Sequence, residues 1–196
     1  MKEFEIALPR STVKQPEPSL SSGGDCGACV LAGLTGKPLR SMYLLVDEEP
    51  KPFTIYSMSA ALGVLEDQGG LDRVVEEPPN WMPYVHPAYA AFGYTALSQA
   101  PMWWAYLRLA IDAGYYGMAT MSFQPVSSKP GDTYFSSNHW VMFKGCRFRW
   151  EDMPGGSRGK EEILVSCSVK GDYWIEVREF ARLHGGAQLM LARPLW

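Results

Sequence analysis

Gly23-Gly24-Asp25-Cys26-Gly27-Ala28-Cys29-Val30-Leu31-Ala32 is the stretch on which the reading of this chain turns. Asp25 offers a side-chain oxygen at an N-cap position, and Ala28, Val30, Leu31, Ala32 and Leu34 follow as a short apolar helix. Gly36-Lys37-Pro38 ends it, because proline cannot continue a helix and disfavours helical geometry in the residue before it. Two thiols therefore stand at a helix start. A thiol is a good nucleophile only as thiolate, and the N–H groups and dipole of a helix N-terminus stabilise that anion. Asp25 opposes this slightly by adding negative charge.

Working outward, Pro9 to Gly24 is rich in Pro, Ser and Gly without hydrophobic period, so residues 1–24 read as an extended lead-in. A second helix is expected from about Thr54 to Asp67, where Met58, Ala61, Leu62 and Leu65 recur at helical spacing before Gly69-Gly70. The prolines and aromatics of residues 77–101 read as an irregular, packed loop. A third helix is expected from about Met102 to Ala113, with Gly114 as its stop. The period then changes. Gly117–Phe123, His139–Lys144 and Ala187–Ala192 read as strands, and Glu162–Val169 with Tyr173–Val177 as a hairpin across Lys170-Gly171-Asp172. Met153–Lys160 reads as an exposed loop. Helices first and antiparallel sheet second make an α+β domain spanning residues 25–196, with 25–116 mainly helical and 117–196 mainly β.

Asn138-His139-Trp140-Val141-Met142-Phe143 places a histidine at the start of one of those strands. A cysteine and a histidine brought together by the fold form an activated-nucleophile pair, with the oxyanion against the helix N-terminus. Strand alternation puts His139, Val141 and Phe143 on one face and Trp140 and Met142 on the other. Cys146 and Cys167, both within strands, read as small buried hydrophobes.

Composition narrows the partners. With 196 residues, 46% hydrophobic and 20% charged, the chain is long enough for one globular domain and is not of disordered type. A net charge of −3 argues against a nucleic-acid binder, which carries a basic excess. No apolar run reaches membrane-span length and no signal-peptide core precedes Arg10, so a cytoplasmic protein without membrane attachment is expected. Four cysteines are too few for a disulfide framework in a chain of this size, which fits a reducing compartment.

Cys26-Gly27-Ala28-Cys29 resembles the C-G-[SA]-C segment of papain-like cysteine peptidases. Asn138-His139-Trp140-Val141 followed by Gly145 is similar to the strand that carries their histidine. The resemblance is closest to the leader peptidases that trim double-glycine bacteriocin precursors, whose segment reads D-C-G-x-A-x-L-A. Here Asp25-Cys26-Gly27-Ala28-Cys29-Val30-Leu31-Ala32 departs from it only in Cys29. The order of helical half, then β half, agrees with that superfamily.

The resemblance implies a papain-like fold, a peptide or protein substrate, a Cys–His dyad and no cofactor. Its two branches point to different nucleophiles. The papain pattern points to Cys29, although Val30 stands where an aromatic residue follows the nucleophile; the leader-peptidase pattern points to Cys26. The family's oxyanion glutamine, six residues before the nucleophile, is matched by neither Leu20 nor Gly23, and Gln15 is the nearest candidate. The strand position of the residue that orients the histidine aligns with Ser166, and Asp172 in the following turn is chemically better suited.

Three other readings stand beside this one. C-G-x-C at a helix start is also a thiol–disulfide exchange motif, although residues 11–25 are not the hydrophobic strand which that fold requires. The unmatched glutamine and asparagine positions suit a catalytically dead binding module on the same scaffold. One C-x2-C is half of a structural zinc site, without a second knuckle.

Overall fold

The computed structural model describes residues 2–22, 24–47, 49–73, 107–121, 139–177, 179 and 190–195. The expected loop 77–101, residues 102–106 of the expected third helix, and residues 122–123 and 187–189 of two expected strands lie outside these residues, whereas residues 107–112 are helical as expected. The described residues form an α+β fold of helices and one antiparallel sheet. No helix among them is long and apolar enough to cross a membrane.

Helix α1 runs Cys26–Thr35 and is buried almost all round, as a central core helix must be when its sequence is apolar on every face. Helix α2, Leu39–Tyr43, was not expected; Gly36, at φ 68°, ends α1, and Pro38 stands at the N-cap of α2. Helix α3, Ile55–Asp67, begins where the sequence indicates, with Thr54 and Ser57 exchanging the two hydrogen bonds of a capping box. Its Met58, Ala61, Leu62 and Leu65 are wholly buried.

The strands are β1 (Phe4–Ala7), β2 (Leu71–Arg73), β3 (Tyr116–Met121), β4 (His139–Met153), β5 (Gly156–Cys167), β6 (Gly171–Glu176) and β7 (Met190–Pro194). They lie in the order β2-β7-β3-β4-β5-β6. β4 pairs with β3 through its first five residues, then with β1 from Gly145 to Phe148 along the same edge. β1 and β2 correct two boundaries. The lead-in 1–24 contributes a strand, and the mainly helical half contributes another.

The expected loop Met153–Lys160 is instead a tight turn at Pro154-Gly155, with Met153 paired to Gly156 and the ladder unbroken from there. Gly155 and Gly156 sit at φ 102° and 138°, which only glycine adopts without strain. That permits a turn where polarity alone suggested a loop.

Both faces of the sheet are covered. Val141 and Phe143 pack with Leu107, Ile111, Ile163, Val165 and Cys167. Trp140 and Met142 pack on the opposite face with residues of α1 and α3. β4 is consequently buried without interruption from Trp140 to Cys146, and its alternation is invisible as polarity.

Candidate active site

α1 and the start of β4 meet at Cys26. The backbone N–H of Trp140 donates to Cys26 Sγ at 3.4 Å. Backbone geometry then keeps the sulfur within about 6 Å of the His139 Cα. The Trp140 indole N–H donates to the Phe53 carbonyl at 2.8 Å, fixing the wall beside the thiol. Burial pushes the Cys26 thiol up from its ordinary value, and the N–H groups of Trp140 and Gly27 partly offset it.

Asp25 does not cap α1 with its side chain. Its carboxylate accepts from the N–H groups of Leu20 at 2.8 Å and Ser21 at 3.0 Å, and from the Tyr43 hydroxyl. A carboxylate that is 1% exposed is thus fully engaged in folding the approach loop back under the helix. This corrects the capping role expected from sequence. The first-turn N–H groups are not claimed by that side chain.

Cys29 lies one turn deeper. It is wholly buried, and burial together with Asp25 pushes its thiol up to about 12. The two cysteines of the motif are therefore unequal: Cys26 meets the histidine strand, whereas Cys29 is core.

His139 sits on the Val141 face of β4, and its Nε2 lies 3.5 Å from Cys167 Sγ. The same sulfur accepts the backbone N–H of Val169 at 3.3 Å and of Lys170 at 3.2 Å. Burial, and secondarily the Lys170 charge, hold the His139 imidazolium down to about 4. The ring is therefore neutral at pH 7 and able to accept a proton.

A neutral, half-buried histidine makes the fold acid-sensitive. Its folded value lies below the unfolded one, so the unfolded chain takes up the proton first and stability falls as pH drops below about 6.5. The expected loss between pH 7 and 5 is about 1–2 kcal/mol. Glu162 and Asp172, also held below their usual range, act below that window. Urea midpoints at the two pH values, in the protein and in His139→Asn, check it. An equal acid sensitivity in both would show that the charge on His139 is irrelevant.

Ser166 does not lie beside the histidine. It pairs opposite Met142, so strand alternation sends it to the other face. Its hydroxyl accepts the Thr12 N–H at 2.9 Å and shares a hydrogen bond with the Thr12 hydroxyl at 3.1 Å. Asp172 is likewise engaged elsewhere, with the buried Lys144 ammonium at 2.8 Å and the Ser11 hydroxyl at 2.9 Å. Cys167, one position beyond Ser166, does reach the ring. Counting parity across the β4–β5 ladder would have found it, because Cys167 falls opposite Val141, on the histidine's own face.

Gln15 is carried toward the same place by the lead-in. Its N–H donates to the Ser168 carbonyl at 3.0 Å, next to Cys167, and its side-chain amide donates to Ser19 Oγ at 3.0 Å. That amide nitrogen stands 3.5 Å from the point where a Cβ on Gly24 would lie, two residues before Cys26.

No family model matches the chain, and no curated protein matches it in sequence. Among the described residues no group of three or more His, Cys, Asp or Glu could hold a metal ion. The arrangement offers a thiol at a helix N-terminus, a neutral imidazole on the adjoining strand and an amide side chain near the helix approach.

Proposed function

We propose that this chain is a cysteine peptidase or a related thiol acyl-transfer enzyme of papain-like layout, acting on a peptide or protein in the cytoplasm. The observation that carries the reading is the hydrogen bond from the Trp140 N–H to Cys26 Sγ, which joins the two motifs at one point. Cys26 is the nucleophile in this reading and Cys29 a core residue. His139 takes the Cys26 proton as the sulfur attacks the substrate carbonyl, and α1's first-turn N–H groups hold the oxyanion. The carbon–nitrogen bond then breaks, and the imidazolium returns its proton to the leaving amine. Water, deprotonated by His139, hydrolyses the thioester and restores the thiol.

A thiol–disulfide exchange protein would use the same two cysteines. Against it, the described residues just before α1, 16–22 and 24–25, are irregular chain rather than a strand. A dead scaffold would keep the geometry without reactivity. Mass-spectrometric mapping after treatment with a peptidyl chloromethyl ketone separates these readings. The peptidase reading expects modification at Cys26 with Cys29 untouched. Equal labelling of both, no enhancement over a model thiol, or a reversible Cys26–Cys29 disulfide would each overturn it.

In this reading the resting pair is a neutral thiol and a neutral imidazole, since burial raises one group and lowers the other. Alkylation of Cys26 by iodoacetamide should therefore climb about tenfold per pH unit from pH 6 to 8, following the thiolate fraction. A plateau across that range would indicate a preformed ion pair instead.

A further inference from the structure

We infer that Cys167 is the positioning residue for His139, accepting a hydrogen bond from the ring's Nε2–H and so setting the tautomer in which Nδ1 takes the Cys26 proton. The inference rests on the dyad proposed above and names the member of that site which the sequence motif does not reveal. Three nitrogens converge on one sulfur: His139 Nε2 at 3.5 Å, Val169 N at 3.3 Å and Lys170 N at 3.2 Å. Two of them are backbone N–H groups, which can only donate, so the sulfur is already used as an acceptor. A third donor from the ring continues that pattern.

The sulfur is also held in place. Cys167 ends β5, and the turn through residues 168–170 wraps it before β6 begins at Gly171. Cys167 is 2% exposed, so water does not compete for its sulfur. Gln15 fastens the outer side of the same turn through the Ser168 carbonyl. An imidazole whose one nitrogen is fixed in this way presents the other in a single protonation state, which a base needs at the moment of attack.

The test uses the full chain and three variants. Cys167→Ala removes the acceptor and should slow acylation of Cys26 by the peptidyl chloromethyl ketone about 10- to 100-fold, less than loss of the orienter in a serine triad, because thiols are intrinsically stronger nucleophiles. Cys167→Ser and Cys167→Asn restore an acceptor and should recover most of that rate, a rescue that a purely packing role would not give. Nitrogen-15 NMR of the ring supplies a readout independent of reactivity. His139 should carry its proton on Nε2 in the wild type and become a mixture of tautomers in Cys167→Ala.

Wild-type acylation of Cys167→Ala, or failure of both polar variants to rescue it, would overturn the assignment. So would a wild-type ring protonated on Nδ1, a result that stands even if Cys167→Ala does not fold. If wild-type Cys26 proves unreactive, the peptidase reading falls by itself, and the tautomer measurement still decides whether Cys167 positions the ring.

Discussion

Replacing His139 by alanine is expected to slow acylation of Cys26 by about 10²–10⁴-fold, the range that a positioned general base contributes. The size follows from the environment of the thiol. Cys26 is 7% exposed, and burial holds its proton on, so little thiolate exists at neutral pH without a base. The N–H that Trp140 donates to the sulfur stabilises the anion but cannot accept the proton. In His139→Ala that proton must leave directly to water from a sulfur packed in one cluster with Trp140 and Phe53. Raising the pH to 9 should recover part of the lost rate, because hydroxide then does the work of the ring. Rates measured from pH 6 to 9 check this, and a variant within threefold of the wild type throughout would remove His139 from the chemistry.

Gly33→Ala should unfold the protein more easily by about 3 kcal/mol, near the upper end for overpacking a filled interior. The sign is the informative part. At an exposed position in a helix the same change stabilises by about 1 kcal/mol. Here a Cβ on Gly33 would stand 2.1 Å from the Ser11 carbonyl oxygen and 2.7 Å from the Thr12 Cα, both backbone atoms that no rotamer can move aside. The lead-in would be driven off α1. Its hydrogen bonds from Val13 to the Cys29 carbonyl, from Thr12 to Ser166 and from Gln15 to Ser168 would be lost with it. A fall in Tm of about 6–12 °C is expected for a domain of this size. An unchanged or raised Tm would mean that the lead-in is not packed against the helix.

α1 and α3 were legible because each announces itself locally, one by its glycine and proline stop, the other by Met58, Ala61, Leu62 and Leu65 on one side. The strand at His139 was legible too, and its two faces divide as alternation requires. What escaped was set by distant partners. Phe4–Ala7 carries a short period-2 alternation, with Phe4, Ile6 and Leu8 facing the core, but it becomes β1 only because β4 leaves that edge open beyond β3. Asp25 looks like a cap, but Tyr43 and the amides of Leu20 and Ser21 outcompete the helix end for its oxygens. Ser166 was the polar residue at about the right place along β5, and a polar residue attracts attention that a cysteine in a strand does not. Its orientation depended on register with β4, which no single segment encodes.

The passage of residues 8–15 between α1 and β5 has a consequence for how the chain is made. Thr12 bonds a residue 154 positions later, and Ser11 one that is 161 positions later. At about 5–20 residues per second, synthesis takes roughly 7–30 s to proceed from α1 to the last of these partners. For most of that interval the nascent α1, apolar on every side, lacks its sheet, and its strap, though already made, lacks the β5 and β6 partners that hold it down, so the helix is a natural client for a chaperone. Under the proposed function Cys26 meanwhile has no base: a nucleophile would be made early and armed late, and a partly synthesised chain would carry a dormant thiol until β4 and β5 had emerged to seat it.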